Sequence, residues 1–289
     1  MNDQAATPSL QHMAMISTLH ISMIGISSKD KSATEKANIY LKTSDLAGYY
    51  SKCKIHRDDI RPILNSAQAS RNYRRRVTRP WGQNDTRLLP SKDVLEFIDK
   101  MDEFKRTFES EVIKIQARWP MIVGDQQTRL GPLFNVNEYP AQHEVTDCFG
   151  FDYELLPVPD GSHIVLDLEK TMIEKLRRQL TKENQKRLEQ SMAEMWQRLY
   201  DPISNMARIC SEDRAVYDSL VGNVEDAVGV LQRLNITNDQ KFNDMIAEIN
   251  QKLVGYTPVQ IRKNKKLKEA LGTAALDISS KLESIISQS

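Results

Sequence analysis

Apolar residues recur at alternating steps of three and four along two long stretches of the chain. The first covers residues 94–122 and follows Ser91, whose side chain is a good helix N-cap. The second covers residues 173–199 and carries leucine or methionine at most positions of its stripe. Because this spacing is typical of coiled-coil helices, we predict two long helices whose apolar stripes pack antiparallel against each other.

A proline lies inside each predicted helix. Pro120 has no backbone N–H to donate, so it predicts a kink or an end of the first helix near Arg118. The second helix is expected to begin at about Glu169, and Pro202 predicts a kink before it continues with residues 203–209.

Shorter stretches alternate between apolar and polar residues and predict a small sheet. Residues 16–26 have the pattern of a strand, whereas residues 27–36 resemble a loop. Asp160-Gly161 is a hairpin signal, with residues 151–158 and 163–168 as the two arms. We expect the hairpin and the early strand to belong to one antiparallel sheet.

Capping residues, prolines and glycines mark the ends of further helices. These are expected over 57–76 with Pro62 in the first turn, from Ser211 to Leu231, over 242–253 with a stop at Gly255, and from Thr257-Pro258 to Ile286.

The predicted fold class is mainly α with a small antiparallel β element, in which long coiled-coil-like antiparallel helices accompany a C-terminal helical bundle. The predicted regions are a mobile tail (1–14), an N-terminal strand and helix region (15–90), two long helices with an inserted β-hairpin region at 124–168 (91–210), and a C-terminal helical region (211–289).

Composition narrows the classes of function. Lys and Arg number 40 against 39 Asp and Glu, so any anion-binding surface must arise from local segregation of charge. The three cysteines, Cys53, Cys148 and Cys210, are far apart and odd in number, which favours reduced thiols and a cytoplasmic protein. No segment has the pattern of a signal peptide or a membrane span, so we expect no membrane partner.

Two basic clusters are candidates for binding single-stranded nucleic acid. Arginines could contact phosphates while aromatic rings stack on bases. One alternative is that arginines suit the C-terminal turn of a helix, that Trp81 anchors a turn, and that the second cluster is a solvated helix face. Another is that the first cluster binds an acidic protein partner. The candidate residues are Arg71, Tyr73, Arg74, Arg75, Arg76, Arg79 and Trp81 in the first cluster, and Arg262, Lys263, Lys265, Lys266 and Lys268 in the second.

Patterns that would indicate catalysis or a cofactor are weak. Cys53 and His56 have a ligand-like spacing but no second pair to complete a zinc site. Cys148, with His143 or His163, could form a nucleophile and base, but nothing around Cys148 indicates an electropositive pocket, and a buried inert thiol is the favoured interpretation. Asp152 and Glu154 could share one face of a strand, either as a functional pair or as its solvent side. No phosphate-binding loop occurs, and we predict no cofactor, metal or catalytic residue.

Three landmarks flank the first long helix, namely Arg87 to Pro90 before it and the segments 130–139 and 149–157 after it. Their order resembles an uncharacterised helical family found in tailed phages and proteobacteria. The resemblance implies no catalytic residues. Because such genes occur near those for a MoxR-type AAA+ ATPase and a von Willebrand-type domain protein, it implies an adaptor or assembly role.

The sequence thus favours a non-enzymatic, self-associating structural or interaction protein. The resemblance adds that it is encoded by a phage and serves as an adaptor for an AAA+ ATPase or another phage protein. The alternative is a nucleic-acid-binding accessory factor for phage replication, recombination or transcription.

Overall fold

The computed structural model of the chain describes residues 10–44, 47–159, 169–212 and 215–288. Its fold is mainly α with small antiparallel sheets, as predicted. The helices are α1 (Leu10–Met13), α2 (Lys31–Leu41), α3 (Arg61–Val77), α4 (Val94–Leu130), α5 (Lys170–Ser211), α6 (Ser219–Leu234), α7 (Gln240–Leu253), α8 (Pro258–Lys263) and α9 (Lys265–Gln288). The strands are β1 (Ala14–Ser22), β2 (Ser27–Asp30), β3 (Tyr50–Cys53), β4 (Arg79–Pro80), β5 (Arg87–Pro90) and β6 (Gly150–Pro157).

The strands of the described residues form two antiparallel sheets. One has the order β4-β5-β1-β6, in which Ala14 lies opposite Pro90 and Ser17 opposite Arg87. The other contains β2 and β3, with Ser27 opposite Cys53. The first predicted hairpin arm is confirmed as β6, whereas the hairpin signal at 160–161 and the second arm at 163–168 lie outside the described residues.

The chain divides into two compact units that are discontinuous in sequence. Unit 1 comprises Met1–Thr18, Arg74–Leu95 and Glu154–Ser289, and unit 2 comprises Leu19–Tyr73 and Glu96–Tyr153. The predicted division into consecutive regions differs from this arrangement, because α4 lies mainly in unit 2 whereas α5 lies in unit 1.

The core of unit 1 is a helical bundle that includes the predicted C-terminal helices. The second half of α5 is buried at Met195, Leu199 and Ile203, and α5 packs most extensively against α9 and then against α6. The backbones of α5 and α9 approach closely at Gly272. A Cβ added at this glycine would lie only 3.1 Å from Cys210 Cβ. The core of unit 1 is therefore not formed by the predicted packing between the apolar stripes at 173–199 and 94–122.

In unit 2 the predicted apolar stripe of α4 is confirmed as its buried face. Aromatic side chains cover this face along its length: Phe108 has ring contacts with Phe149 and Phe151, and Trp119 has one with Tyr139. The buried positions of the stripe are Met101, Phe108, Val112, Ile115, Trp119 and Ile122, together with Phe97.

The end of the first helix that was predicted near Arg118 is wrong, because α4 continues through Pro120 to Leu130. Proline at this position leaves the carbonyl of Gln116 without its usual helical donor. The side-chain amide of Gln142 donates to that carbonyl at 3.0 Å, and Trp119 Nε1 donates to the carbonyl of Pro140 at 2.9 Å. A segment distant in sequence thus supplies the hydrogen bond that the proline removes.

This arrangement predicts a coupling between Pro120 and Gln142. Gln142→Ala should lower the free energy of unfolding by about 1 kcal/mol, because it removes the substitute donor. Pro120→Ala restores the backbone donor, and in that background Gln142→Ala should cost almost nothing. A double-mutant cycle by chemical denaturation measures the coupling. Equal costs of Gln142→Ala in both backgrounds would show that the Gln142 amide does not compensate for the proline.

Several predicted boundaries of helices and strands were also wrong. Residues 27–36, interpreted as a loop, form β2 and the start of α2, where Asp30 caps the helix by accepting from the Ala33 N–H at 2.9 Å. The mobile tail was extended too far, because Leu10–Met13 is helical and Ala14 is buried in β1. β1 ends at Ser22 instead of residue 26.

The later helix boundaries differ as well. α5 continues through Pro202 and ends at Ser211, where a new helix had been predicted to start. The last predicted helix is divided into α8 and α9 by Asn264, whose side-chain oxygen accepts from the Leu267 N–H at 3.1 Å and so caps α9.

Candidate interaction surfaces

The arginine-rich stretch at 71–82 lies largely in the interior. Arg74, Arg79 and Trp81 are buried. The Arg74 guanidinium donates to the Ser17 carbonyl at 2.7 Å and to Asp85 Oδ2 at 2.7 Å, and it also bonds the Asp85 carbonyl. Burial lowers the pKa of Arg74, whereas the hydrogen bond and charge of Asp85 act in the opposite direction.

Arg79 makes fewer hydrogen bonds than the other two buried arginines, Arg74 and Arg87. Its Nε donates to Ser191 Oγ at 2.7 Å and one Nη donates to the Leu234 carbonyl at 3.2 Å, which ties β4 to α5 and α6. The other Nη finds no acceptor in the described part of the chain. Burial first, and then the positive charge of Arg198, lowers the pKa of Arg79 to about 10.

Arg87 is also buried and bonds mainly to neutral oxygens. It donates to Thr78 Oγ1 at 2.7 Å and to the Thr78 carbonyl at 3.1 Å, and Glu194 lies 3.5 Å from its guanidinium. Burial is the main cause that lowers its pKa to about 10. Arg74, Arg79 and Arg87 therefore fasten residues 74–90 within unit 1.

These positions correct the first nucleic-acid prediction for its buried members. Arg74, Arg79 and Trp81 cannot reach a strand in this fold, and Tyr73 packs against Phe97 and Phe104. The alternative interpretation is confirmed, since Arg74, Arg75 and Arg76 occupy the last turn of α3, where cations are favourable. Of the predicted contacts in this cluster, Arg75 and Arg76 are exposed and Arg71 is half-buried.

The second basic cluster is divided by the break at Asn264. Arg262 donates to Asp218 at 2.8 Å and to the Val216 carbonyl at 3.3 Å, so it ties α8 to the start of α6. Lys268 is half-buried. The remaining members, Lys263, Lys265 and Lys266, are exposed.

A surface that the sequence did not indicate lies on α2 and the residues before β3. The inner face of α2 is made of small or polar residues, and Asn38 is its buried residue. Ile39 and Tyr40 are exposed at 77% and 85% on the other sides of the helix, and Leu41 is exposed at its last position. We define the α2 surface as Ile39, Tyr40, Leu41, Tyr49 and Tyr50, all of which are exposed.

Two contacts hold the α2 surface together. The Tyr50 N–H donates to Thr34 Oγ1 at 2.9 Å, which fixes the start of β3 against α2. Lys29 Nζ lies 4.0 Å from the centre of the Tyr49 ring, a cation–π contact. A cavity of about 760 Å³ between α2 and the loop before β3 is lined by residues that include Lys31, Asn38 and Tyr49.

A buried lysine anchors the strands beneath this surface. Lys52 Nζ lies 2.8 Å from Glu138 Oε1 and 3.1 Å from Asp30 Oδ2, and it donates to the Leu133 carbonyl at 2.8 Å. Only 3% of its side chain is exposed. Burial opposes the charge, but hydrogen bonds to Glu138 and Asp30 outweigh it and raise the pKa of Lys52.

The predicted nucleophile candidate is held as a thiol. Burial, followed by the negative charges of Asp147 and Glu144, raises the pKa of Cys148. His143, its predicted base, lies beside Glu144 at 3.9 Å with 83% of its side chain exposed. The other candidate, His163, lies outside the described residues.

The remaining candidates have ordinary structural roles. His56 Nδ1 accepts from the Asp58 N–H at 3.3 Å, which caps a short 3-10 helix at 57–60. Asp152 is exposed and lies 3.4 Å from Lys105 Nζ. Within the described ranges, no group of three or more His, Cys, Asp and Glu side chains is arranged to hold a metal ion.

Comparison of the chain with protein-family models, curated proteins and solved structures finds no match. Across the described ranges, the helices lack the combination of length and apolar character that would let one cross a membrane. Function is therefore inferred from the surfaces themselves.

Proposed function

We propose that this protein is a non-enzymatic interaction protein that self-associates through the α2 surface. The observation that carries the proposal is the inverted polarity of α2, which buries Asn38 and exposes Ile39, Tyr40 and Leu41. Full burial of each such aliphatic or aromatic side chain contributes about 1.5–3 kcal/mol, so their exposure in a single copy forgoes substantial stabilisation. Contiguous exposed apolar groups of this kind are typical of interfaces.

A second copy of the chain is the occupant that fits this surface. Tyrosines are enriched at interface centres and can stack on their counterparts across a twofold axis. Lys31 and Glu35 are one helical turn apart at the edge of the surface, so Glu35 of one copy can pair with a lysine of the other. The β2–β3 sheet has only two strands among the described residues, which gives it little stability alone and makes a covering copy favourable.

The setting that we propose for this function is the cytoplasm of a phage-infected host. There the self-associated protein would serve as an adaptor for a MoxR-type AAA+ ATPase or for another phage protein. This part of the proposal rests on the resemblance of residues 87–90, 130–139 and 149–157 to a family of tailed phages and proteobacteria.

The test compares two single substitutions that add the same charge. Ile39→Asp should shift the protein from dimer to monomer, because burying the carboxylate would cost about 2 kcal/mol or more for each of the two copies. Leu95→Asp is the matched control, since Leu95 is 78% exposed and lies outside the α2 surface. Size-exclusion chromatography with light scattering reads the mass of each variant, and equal masses would contradict the proposal.

A further inference from the structure

The first half of α5 presents a basic surface that neither predicted cluster included. Residues 170–190 contain seven lysines and arginines but only three glutamates. The buried residues of α5 begin at Ser191, so this half of the helix is largely exposed.

Four of these cations form one row along the helix. Lys175, Arg178, Lys182 and Lys186 are spaced by three, four and four residues and are all exposed. At 3.6 residues per turn they fall within roughly 80° of one another and extend over about 16 Å. We call these four residues the basic row. The row faces away from the half-buried apolar stripe of Ile173, Leu176 and Leu180.

The basic row lacks the charge compensation seen on other helices of this protein. On α4, for example, two lysines are paired with a carboxylate one turn away, namely Lys100 with Glu103 at 2.6 Å and Lys114 with Glu111 at 2.6 Å. On α7 and α9, Lys252 and Lys281 each lie 2.7 Å from Glu248.

On the row itself, the ion pair between described residues is that of Arg178 with Glu174, at 3.6 Å. For Lys175, Lys182 and Lys186 the described part of the chain provides no ion pair. A face whose charges are paired needs no partner, whereas an unpaired row concentrates positive potential in a chain whose net charge is only +1.

We infer that the basic row binds the phosphate backbone of a nucleic-acid duplex. The row extends over about 16 Å of helix, and one strand of B-DNA carries a phosphate for about every 3.4 Å of axis, so each of the four cations can contact a phosphate of its own. Residues 170–190 contain no aromatic side chain that could stack on an unpaired base, so contact with the backbone of a duplex is favoured over single-strand recognition. The binding is independent of base sequence and of self-association through the α2 surface.

The experiment measures the binding of the full chain to a labelled DNA duplex two helical turns long, by fluorescence anisotropy over a range of salt concentrations. The test variant carries Lys175→Gln, Arg178→Gln, Lys182→Gln and Lys186→Gln together. The control variant carries Arg75→Gln, Lys263→Gln, Lys265→Gln and Lys266→Gln, which remove the same charge from exposed members of the two predicted clusters.

Wild type and control should bind with the same steep salt dependence. In the test variant the slope of log affinity against log salt should become shallower by about 0.9 for each phosphate that a cation of the row no longer neutralises. The single variant Lys182→Gln should make the slope shallower by about 0.9. This variant keeps the inference testable if the fourfold variant is poorly folded. Unchanged affinity and slope in the test variant, or no binding of duplex by wild type, would overturn the inference.

Two further ligands identify the partner class. A single strand of the same sequence and polyglutamate are each used as competitors of the labelled duplex. Weaker competition by both than by unlabelled duplex supports the inference, whereas stronger competition by either assigns the row to that ligand class instead. The test variant should retain the native mass of wild type, so failure here is distinguishable from failure of the proposed self-association.

Discussion

Replacing Lys52 by methionine is expected to lower the free energy of unfolding of unit 2 by about 3–5 kcal/mol. Methionine retains most of the side-chain volume, so the loss reports the charge and not a cavity. Without the ammonium group, the Asp30 and Glu138 carboxylates face each other across the site that Lys52 Nζ occupied, and the Leu133 carbonyl loses its donor. Chemical denaturation measures the effect, with Lys36→Met, an exposed lysine on α2, as the control.

The loss from Lys52→Met should depend on pH. The hydrogen bond from the Ala33 N–H first, and then that from Lys52, lowers the pKa of Asp30 below 3.8 in the folded wild type. A lowered pKa contributes stability above the unfolded-state value and loses it as the pH falls through the folded-state value. In the variant, protonating either carboxylate relieves repulsion. The difference in the free energy of unfolding between wild type and Lys52→Met should therefore become smaller below about pH 4. A difference that does not change with pH would contradict this account of the site.

The second large effect concerns two buried arginines, Arg74 and Arg79. Replacing each of them by methionine should change the free energy of unfolding by different amounts. Arg74→Met leaves the carbonyls of Ser17 and Asp85 without a donor and breaks an ion pair, so we expect a loss of about 3 kcal/mol. Arg79 has no carboxylate within salt-bridge distance in the described part of the chain, and one of its Nη groups has no acceptor there. Its desolvation cost is poorly offset, so Arg79→Met should change the free energy of unfolding by about 1 kcal/mol or less.

Chemical denaturation of Arg74→Met and Arg79→Met under the same conditions shows which variant loses more free energy of unfolding. A larger loss for Arg79→Met than for Arg74→Met would mean that the bonds to Ser191 and Leu234 outweigh the desolvation of Arg79. Both variants retain the four exposed cations of the basic row on α5, so neither should alter duplex binding by that row.

Periodicity predicted the parts of the fold that depend on local pattern. The buried face of α4 and the helices at 61–77 and 240–253 follow from spacing and capping residues, since these signals act within one or two turns. The uninterrupted helix at Pro120 could not be predicted, because its compensating donor, Gln142, is distant in sequence. The principal packing partner of α5 could not be predicted either, since the stripes of several helices are compatible with it.

The functional surfaces were harder to predict for a related reason. A window around Arg74 and Arg79 contains only their charges, whereas their burial depends on Ser17, Ser191 and the carbonyl of Leu234. The α2 surface was missed because a short polar segment resembles a loop, although Asp30 was a usable capping signal. The spacing of the basic row is visible in the sequence, but the leucine stripe on the opposite face of α5 is the stronger pattern.

Self-association through the α2 surface is the property on which the proposed function depends. Sedimentation equilibrium of the wild-type protein over a dilution series tests it most directly. We expect a mass of twice the chain mass of 33.1 kDa at high concentration, falling towards 33.1 kDa on dilution. A mass of 33.1 kDa at every concentration would contradict it.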